Sequence, residues 1–400
     1  MIDAADLRPN WAEINLDHIA HNVRLLRGRT APGARFMAVV KADGYGHGAA
    51  EVARTALENG AEWLAVAIVD EGVLLRREGF AAPILVLGYT PPEQAERAVA
   101  HDLTLTVYRR DLAEALARAA SAAGKTARVH VKIDTGMGRI GLPPGPEAVE
   151  FIASLSDLPN LAVEGLFTHF AVADSLDQSY TWEQFSRFRR VIDDLERRGI
   201  QIPIKHAANS AAIIALPETH LDLVRAGIAM YGLAPSSEVG NGIGLRPAME
   251  WKTRIAHLKR IPPGTSVSYG RKYVAEAETV VATLPAGYAD GYSRAWSSRG
   301  TVLVGGRRVP VIGRVCMDQT MIALPPDLEA RVGDEVVLMG RQGEAAVTAD
   351  ELAEGLGTIN YEITCLVGKR VPRVYLKNGQ ALKIVSLTGL ICCSWQDQSI

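Results

Sequence analysis

The chain is short of cysteine, of charge excess and of long apolar stretches, and each shortage removes a class of function. Cysteine occurs four times in 400 residues, at Cys316, Cys365, Cys392 and Cys393, with no metal-ligand spacing. That argues against a disulfide-built secreted scaffold and against a zinc ribbon, and it suits a reducing compartment. The adjacent pair Cys392-Cys393 is a poor candidate for either bond. Lysine and arginine total 43 against 45 acidic residues, a formal net charge of −2. Lacking any long basic run, the chain is not expected to bind nucleic acid. No apolar segment is long enough to cross a membrane, so no membrane partner is expected. Residues 1–10 are polar and mixed in charge, without the basic start and apolar centre of a signal peptide, and a cytoplasmic protein is expected. What is present is a 48% hydrophobic composition, ample for two globular domains.

Between about residues 34 and 233, short apolar runs alternate with helical stretches, the signature of βα units around a parallel sheet. Eight runs lie near 36–40, 64–68, 84–87, 104–107, 128–133, 162–168, 203–206 and 221–224. Helices are expected between them, for example over 92–100 with proline in the first turn, over 110–123 ended by Gly124, and over 181–198 ended by Gly199. Eight units imply an α/β fold built on a closed (β/α)8 barrel of the TIM type. The rival, an open doubly wound sheet, normally carries G-x-G-x-x-G after its first strand, and that fingerprint is missing. Beyond Pro235 the runs become β-branched, at 280–284, 301–304, 309–315 and 335–338, separated by Gly and Pro turns. The expected domains are a barrel over 10–240 and a mostly β C-terminal domain over 241–380 joined by residues 1–9. The tail over 381–400 fits no pattern and is a candidate for disorder.

Polar residues gather at the ends of the expected barrel strands. Lys41 and Tyr45 follow the first, Lys132, Asp134 and Arg139 the fifth, His169 the sixth, Asn209 and Ser210 the seventh, and Arg225 and Gly227 the eighth. A single arginine or histidine at a loop mouth is usually solvated or structurally paired. Together on the carboxyl rim of a barrel, where such folds carry their chemistry, they make a site. Gly227 and Ile228 can offer backbone N–H groups, and Ser210 and Tyr45 hydroxyls, to phosphate oxygens. Carboxylates that could hold a divalent cation are scarce there, so no metal is required. Lys41, delivered by an apolar strand into a glycine-spaced turn, can attack an aldehyde. A phosphorylated planar aldehyde that also serves as an electron sink is pyridoxal 5'-phosphate, the cofactor expected here.

These positions sit in segments that resemble the alanine racemase family over roughly residues 9–377. They include Val39-Val40-Lys41-Ala42-Asp43-Gly44-Tyr45-Gly46-His47-Gly48, Lys132-Ile133-Asp134-Thr135-Gly136-Met137-Gly138-Arg139, Ala208-Asn209-Ser210 and Arg225-Ala226-Gly227-Ile228. The second half adds Val267-Ser268-Tyr269-Gly270, Pro285-Ala286-Gly287-Tyr288, Gly313-Arg314-Val315-Cys316-Met317-Asp318 and Ile359-Asn360-Tyr361-Glu362. The resemblance implies interconversion of L- and D-alanine, supplying D-alanine for peptidoglycan. It also implies a role for each position. Lys41 would hold the cofactor and act as acid/base on one face of the α-carbon, and Tyr269 on the other, with His169 and Arg225 linked to that tyrosine. Arg225 would also face the pyridine nitrogen. Arg139 would contact the cofactor's phenolic oxygen and the substrate carboxylate, oriented by Lys132, which is carbamylated in many members. Tyr45, Asn209, Ser210, Gly227, Ile228 and Tyr361 would bind the cofactor. Met317 would lend its N–H to the substrate carboxylate, and Tyr288 and Tyr361 would narrow the mouth, with Asp174, Arg294, Arg314 and Ile359 further out. In the family Tyr269, Tyr288 and Met317 reach the lysine of the other subunit, which implies a homodimer with shared active sites.

Three rivals remain at this stage. Decarboxylases of related architecture typically place a carboxylate against the pyridine nitrogen, which Arg225 opposes. A broad-specificity racemase tends to be periplasmic, and a non-catalytic cofactor carrier would lack the whole β half.

Overall fold

The computed structural model describes residues 8–392. Its backbone contacts divide the described residues into a barrel unit, 18–44 with 49–246, and a β unit, 8–17 with 45–48 and 247–392.

In the barrel unit eight strands, Arg35–Val39, Trp63–Val66, Ile84–Val86, Thr104–Val107, Ala127–Lys132, Leu161–Phe167, Ile204–His206 and Leu223–Ala226, form one sheet. All ladders are parallel, and the last strand returns to the first with Met37 opposite Arg225. The remaining gap, between Ile204–His206 and Leu223–Ala226, is bridged by the Asp222 amide donating to Lys205 O and the Arg225 amide donating to Ala208 O, each 3.0 Å. Each strand lies within two residues of an apolar run of the sequence. Strands covered on both faces need near-continuous apolar residues, which is why the runs are visible at all. The connecting helices follow the same logic. Arg110–Ala123 buries Leu112, Ala113, Leu116, Ala117 and Ala120 on one stripe and ends at Gly124, whose φ of +63° closes it. The stretch expected as one helix over 92–100 is a 3₁₀ turn, Pro92–Gln94, followed by a helix, Ala95–Ala100.

The β unit holds one large sheet. Its strand order is His257–Ile261, Thr279–Leu284, Thr320–Leu324, Arg307–Ile312, Thr301–Val304, Glu335–Gln342, Met249–Arg254, Asn10–Asn15, Arg373–Lys377, Gln380–Ser386 and Gly389–Cys392. Two short helices, Ala349–Leu356 and Asn360–Leu366, were not expected from the sequence. The run expected over 309–315 stops as a strand at Ile312, because Gly313 turns the chain with a φ of +66°.

Three boundaries differ from the expectation. Asn10–Asn15, placed with the barrel from sequence, is a strand of the β unit: it runs antiparallel to Met249–Arg254 and parallel to Arg373–Lys377. Its Asn10 Oδ1 accepts from the Trp251 indole at 2.7 Å. Residues 45–48 also group with the β unit, because Arg373 donates through Nε and Nη2 to Gly46 O at 3.1 and 3.0 Å. A Cβ at Gly46 would lie 2.2 Å from Thr364 O, so only glycine fits. Finally, the first part of the expected tail is ordered as the strands Gln380–Ser386 and Gly389–Cys392, which extend the sheet edge beyond Arg373–Lys377. Residues 393–400, and 1–7 at the other end, lie outside the described residues.

An ion pair with a buried carboxylate anchors the β unit. Asp290, fully buried, accepts from both Nη atoms of Arg8 at 2.5 and 2.8 Å and from the Gly287 amide at 3.1 Å. Arg8 is half-exposed, so it is loss of the arginine that strands a buried charge, leaving the Asp290 carboxylate, among the described residues, with only the Arg370 cation, whose Nε is 3.5 Å away. Arg8→Ala should therefore destabilise the β unit by about 3 kcal/mol in urea titrations, whereas Arg260→Ala, whose partner Glu278 is exposed, should change stability by less than about 1 kcal/mol.

Candidate active site

Lys41 follows the first barrel strand, whose end is held by the Tyr231 hydroxyl donating to Val39 O at 2.9 Å. The chain then makes a left-handed turn: Ala42, Asp43, Gly44 and Tyr45 have φ of 52°, 53°, 62° and 52°. Left-handed geometry costs each non-glycine residue roughly 1–2 kcal/mol, so the turn needs compensation. Glu71, in the first turn of the helix Val69–Arg77, supplies much of it. One carboxylate oxygen accepts the Ala42 amide at 2.6 Å, and the other accepts the amides of Ala67 and Ile68 at 2.7 and 3.3 Å. Asp43 adds a bond from the Ala49 amide at 2.9 Å. Left-handed geometry compensated in this way beside a lysine makes Lys41 a candidate functional position.

Facing the same barrel mouth is Arg225, almost fully buried. Nη1 donates to His206 Nδ1 at 2.9 Å, and Nη2 to Thr168 O and Ala207 O at 2.9 Å each and to His169 Nδ1 at 3.2 Å. All four acceptors are neutral, and Nε makes no hydrogen bond among the described residues. Burial, with the nearby Arg139 cation, pushes this guanidinium down to about 9, which leaves it charged at neutral pH. The Phe167 ring stacks on His206 at 4.7 Å and lies 5.5 Å from both the Arg225 and the Lys132 cationic centres. Burial, then Arg225, Arg139, Lys132 and Lys41, hold the His169 imidazole well below its ordinary pKa, so it is neutral.

Lys132 is buried, with Nζ donating to Ile133 O at 3.2 Å. Burial and the Arg225 and Arg139 cations, opposed by Asp134, push its amine down to about 7. Asp134 shapes the loop that carries Arg139: Oδ1 accepts the amides of Gly136 and Gly138 at 3.1 and 3.0 Å, and Oδ2 that of Arg139 at 3.1 Å. Further round the rim, Asn209 caps the helix Ser210–Ala215 through Oδ1, and Ser210 Oγ accepts the Gly227 amide at 2.9 Å, just before the turn Ile228–Tyr231. Asp174 lies beyond, its carbonyl accepting from Ser236.

The other expected positions belong to the β unit. The Tyr45 and Tyr361 rings are 6.2 Å apart, and burial, with Tyr361 and Cys365 nearby, raises the Tyr45 phenol and keeps it neutral. Around Tyr269, Ser268 Oγ donates to Arg314 O at 2.7 Å. The Tyr288 amide donates to Cys316 O and the Ala289 amide to Met317 O, each 3.0 Å. Arg294 joins the same cluster, because Ser297 Oγ in its turn accepts the Val315 amide at 3.0 Å. Tyr269, Tyr288, Met317 and, at the start of the helix Asn360–Leu366, Ile359 are all exposed despite their apolar surface.

Residues 14–235 match the alanine racemase N-terminal domain and residues 248–375 the alanine racemase C-terminal domain. The chain belongs to the alanine racemase family. It is 51% identical over 370 residues to the alanine racemase of Desulfovibrio desulfuricans, covering 92% of this chain and 99% of that one. It is 53% identical over 369 residues to that of Desulforamulus reducens, with the same coverage. Among solved structures, an alanine racemase of Bacillus anthracis with bound L-Ala-P superposes with a TM-score of 0.91 at 40% identity, covering 95% of this chain and 98% of that one. A histidine racemase of Leuconostoc mesenteroides superposes with a TM-score of 0.85 at 30% identity, covering 92% and 98%.

Within this racemase scaffold four positions escaped the sequence reading of the site: Glu71, His130, His206 and Phe167. The two histidines were visible as polar interruptions of apolar strands, in Arg128-Val129-His130-Val131 and Ile204-Lys205-His206, but nothing in their spacing joins them to Arg225. Among the described residues no group of three or more His, Cys, Asp or Glu is placed to hold a metal ion, and no helix is long and apolar enough to cross a membrane. Glu71→Ala removes the acceptor for three amides, and it should lower stability by about 2 kcal/mol in denaturant titrations; Glu78→Ala, at the far end of the same helix, should not.

Proposed function

We propose that this protein interconverts L- and D-alanine with pyridoxal 5'-phosphate, using Lys41 and Tyr269 as acid/base groups on opposite faces of the α-carbon. The observation that carries this reading is Arg225: a buried cation with only neutral protein acceptors and an unpaired Nε–H, where a carboxylate would stand in a decarboxylase. Such a group fits an unprotonated pyridine nitrogen, because an arginine donates hydrogen bonds but cannot take up a proton. The remaining donor set fits the same cofactor. Lys41 would bond its aldehyde carbon, and Tyr45, Asn209, Ser210, Gly227, Ile228 and Tyr361 would hold its phosphate end. When bound, the cofactor supplies an electron sink for the α-carbon as it loses its proton.

The chain's own residues do the rest. Two bases are needed, since a proton taken from one face must be returned to the other for the hand to invert. Lys41 Nζ serves one face and Tyr269 Oη the other. Neutral His169, hydrogen-bonded to Arg225, would add no competing charge beside a Tyr269 phenol supplied by the second copy. Arg139, held by the Asp134 loop, is the partner for the substrate carboxylate, with the Met317 amide. Lys132, near neutrality in its amine, can attack carbon dioxide and release a proton, giving a carbamate anion that orients Arg139. Tyr288, Asp174, Arg294, Arg314 and Ile359 would shape the mouth. The exposed Tyr269, Tyr288, Met317 and Ile359 favour a homodimer in which a second copy of the chain covers them and shares each site. The D-alanine formed would serve cytoplasmic peptidoglycan synthesis.

Circular dichroism of L-alanine incubated with the holoenzyme tests the activity, with serine, lysine and histidine alongside because the fold is shared with a histidine racemase. The signal for L-alanine should fall to zero with amino acid conserved. Release of carbon dioxide would instead indicate a decarboxylase, and an unchanged signal a carrier. Tyr269→Phe should slow α-deuterium exchange from L-alanine by about a hundredfold or more and spare exchange from D-alanine. Equal losses would refute the two-base assignment.

Carbamate formation depends on the unprotonated amine of Lys132. Its fraction grows as pH rises through about 7, so the modification should appear above that pH and be lost below it. Carbon-13 NMR with labelled bicarbonate should show one carbamate signal per chain, missing in Lys132→Met.

A further inference from the structure

Behind Arg225, away from its proposed role at the pyridine nitrogen, lie two buried imidazoles faced by a half-buried carboxylate, none of which the proposed reaction uses. His206 Nδ1 accepts from Arg225 at 2.9 Å, and His206 Nε2 lies 2.8 Å from His130 Nδ1. His130 Nε2 in turn lies 3.7 Å from Glu164 Oε2, and neither of those two buried atoms has a hydrogen-bond partner among the described residues. Both imidazoles are completely buried.

The proton positions along this line follow from one fact: a guanidinium can only donate. His206 Nδ1 must therefore be bare, and its proton sits on Nε2. That N–H points at His130 Nδ1, which must be bare in its turn, so the His130 proton sits on Nε2 and faces the Glu164 carboxylate. Neither ring can accept a second proton without setting two donors against each other. Burial and the Arg225 cation hold both imidazoles below their ordinary pKa, at His130 against the opposing pull of the Glu164 carboxylate.

The packing is built around this arrangement. A Cβ at Gly165 would lie 2.4 Å from the His130 ring, so the glycine makes room for the imidazole. The ladder between Ala127–Lys132 and Leu161–Phe167 shifts register at Val129/His130, which is where the ring turns inward. Phe167 stacks on His206 with an interplanar angle of 3° and so fixes the plane in which its two nitrogens point.

We propose that His130 and His206 form a one-directional hydrogen-bonded relay, faced at its far end by the Glu164 carboxylate 3.7 Å away, that locks His206 as an acceptor and thereby holds Arg225 in place as a pure donor. His130 is a positioning residue, acting on the site only through His206, and the Glu164 charge faces its outer nitrogen. The inference about proton placement rests on the protein alone, and its consequence for turnover rests on the reading of Arg225 given above.

Nitrogen-15 NMR of histidine-labelled holoenzyme tests it, with signals assigned from single-histidine variants. Both His130 and His206 should be neutral, protonated at Nε2 and bare at Nδ1. A protonated Nδ1, or an imidazolium, at either ring would overturn the proposal without any variant having to fold. Two substitutions then separate the relay from space filling. His130→Asn keeps an acceptor oxygen near the position of Nδ1, and His130→Phe keeps a ring but no acceptor. The Phe variant should lose the His206 Nε2–H signature and lower kcat for L-alanine roughly tenfold or more, as expected when a buried donor loses its acceptor, with KM changed by less than about twofold. The Asn variant should retain both. The reverse order, with Phe tolerated and Asn impaired, would show that the ring only fills space. If Phe shifts the His206 signal yet leaves kcat and the cofactor absorbance unaltered, the relay stands and the placement of Arg225 at the ring nitrogen is what fails.

Discussion

The buried guanidinium of Arg225 sets the terms for everything around it. A cation taken out of water needs its hydrogens satisfied, and here that is done without an anion, by two backbone carbonyls and two imidazole nitrogens. That choice has consequences in three directions. It forces both facing histidines to be neutral acceptors. It lowers the affinity of neighbouring Lys132 for a proton. It leaves a donor, with no carboxylate beside it, at the mouth of the barrel. Replacing any of the neutral acceptors by a carboxylate would stabilise the cation more strongly and would also end its use as a restrained donor.

A second constraint is local. The turn after Lys41 runs through four consecutive residues in left-handed geometry, three of them not glycine. A chain released from context would not adopt it. It persists because Glu71 and Asp43 take up the amides that the turn exposes, and Glu71 lies on the next βα unit rather than on the turn itself. The lysine is thereby held by the barrel, through strand ends that are themselves fixed by the parallel ladder. Asp134 does the same for the loop bearing Arg139. Lys41 and Arg139 thus sit on loops tied down by carboxylates acting on backbone amides, where charge-assisted bonds are stronger than neutral ones.

Much of the fold was legible because its signals are one-dimensional. Strands buried on both faces need unbroken apolar runs, and those runs located all eight barrel strands to within two residues. Gly124 and Gly199 ended helices because a left-handed cap is cheapest there. Asn10–Asn15 was assigned to the wrong unit because its partners, Met249–Arg254 and Arg373–Lys377, lie more than two hundred residues away in the chain. The strand Gln380–Ser386 was invisible because it buries only Ala381 and Ile384, a weaker apolar pattern than that of a strand covered on both faces.

The sequence by itself determined which residue types stand at the ends of the strands, and through the family motifs it determined the chemistry to expect of Lys41, Arg225 and Tyr269. It could do so because those residues lie in short contiguous segments whose identity is local. Only the tertiary structure decided how they are held. Glu71 meets Ala42 across 29 positions, His206 meets His130 across 76 and Arg225 meets His169 across 56. Contacts at such separations depend on closing the barrel, and so does the direction of every proton along the line from Glu164 to Arg225.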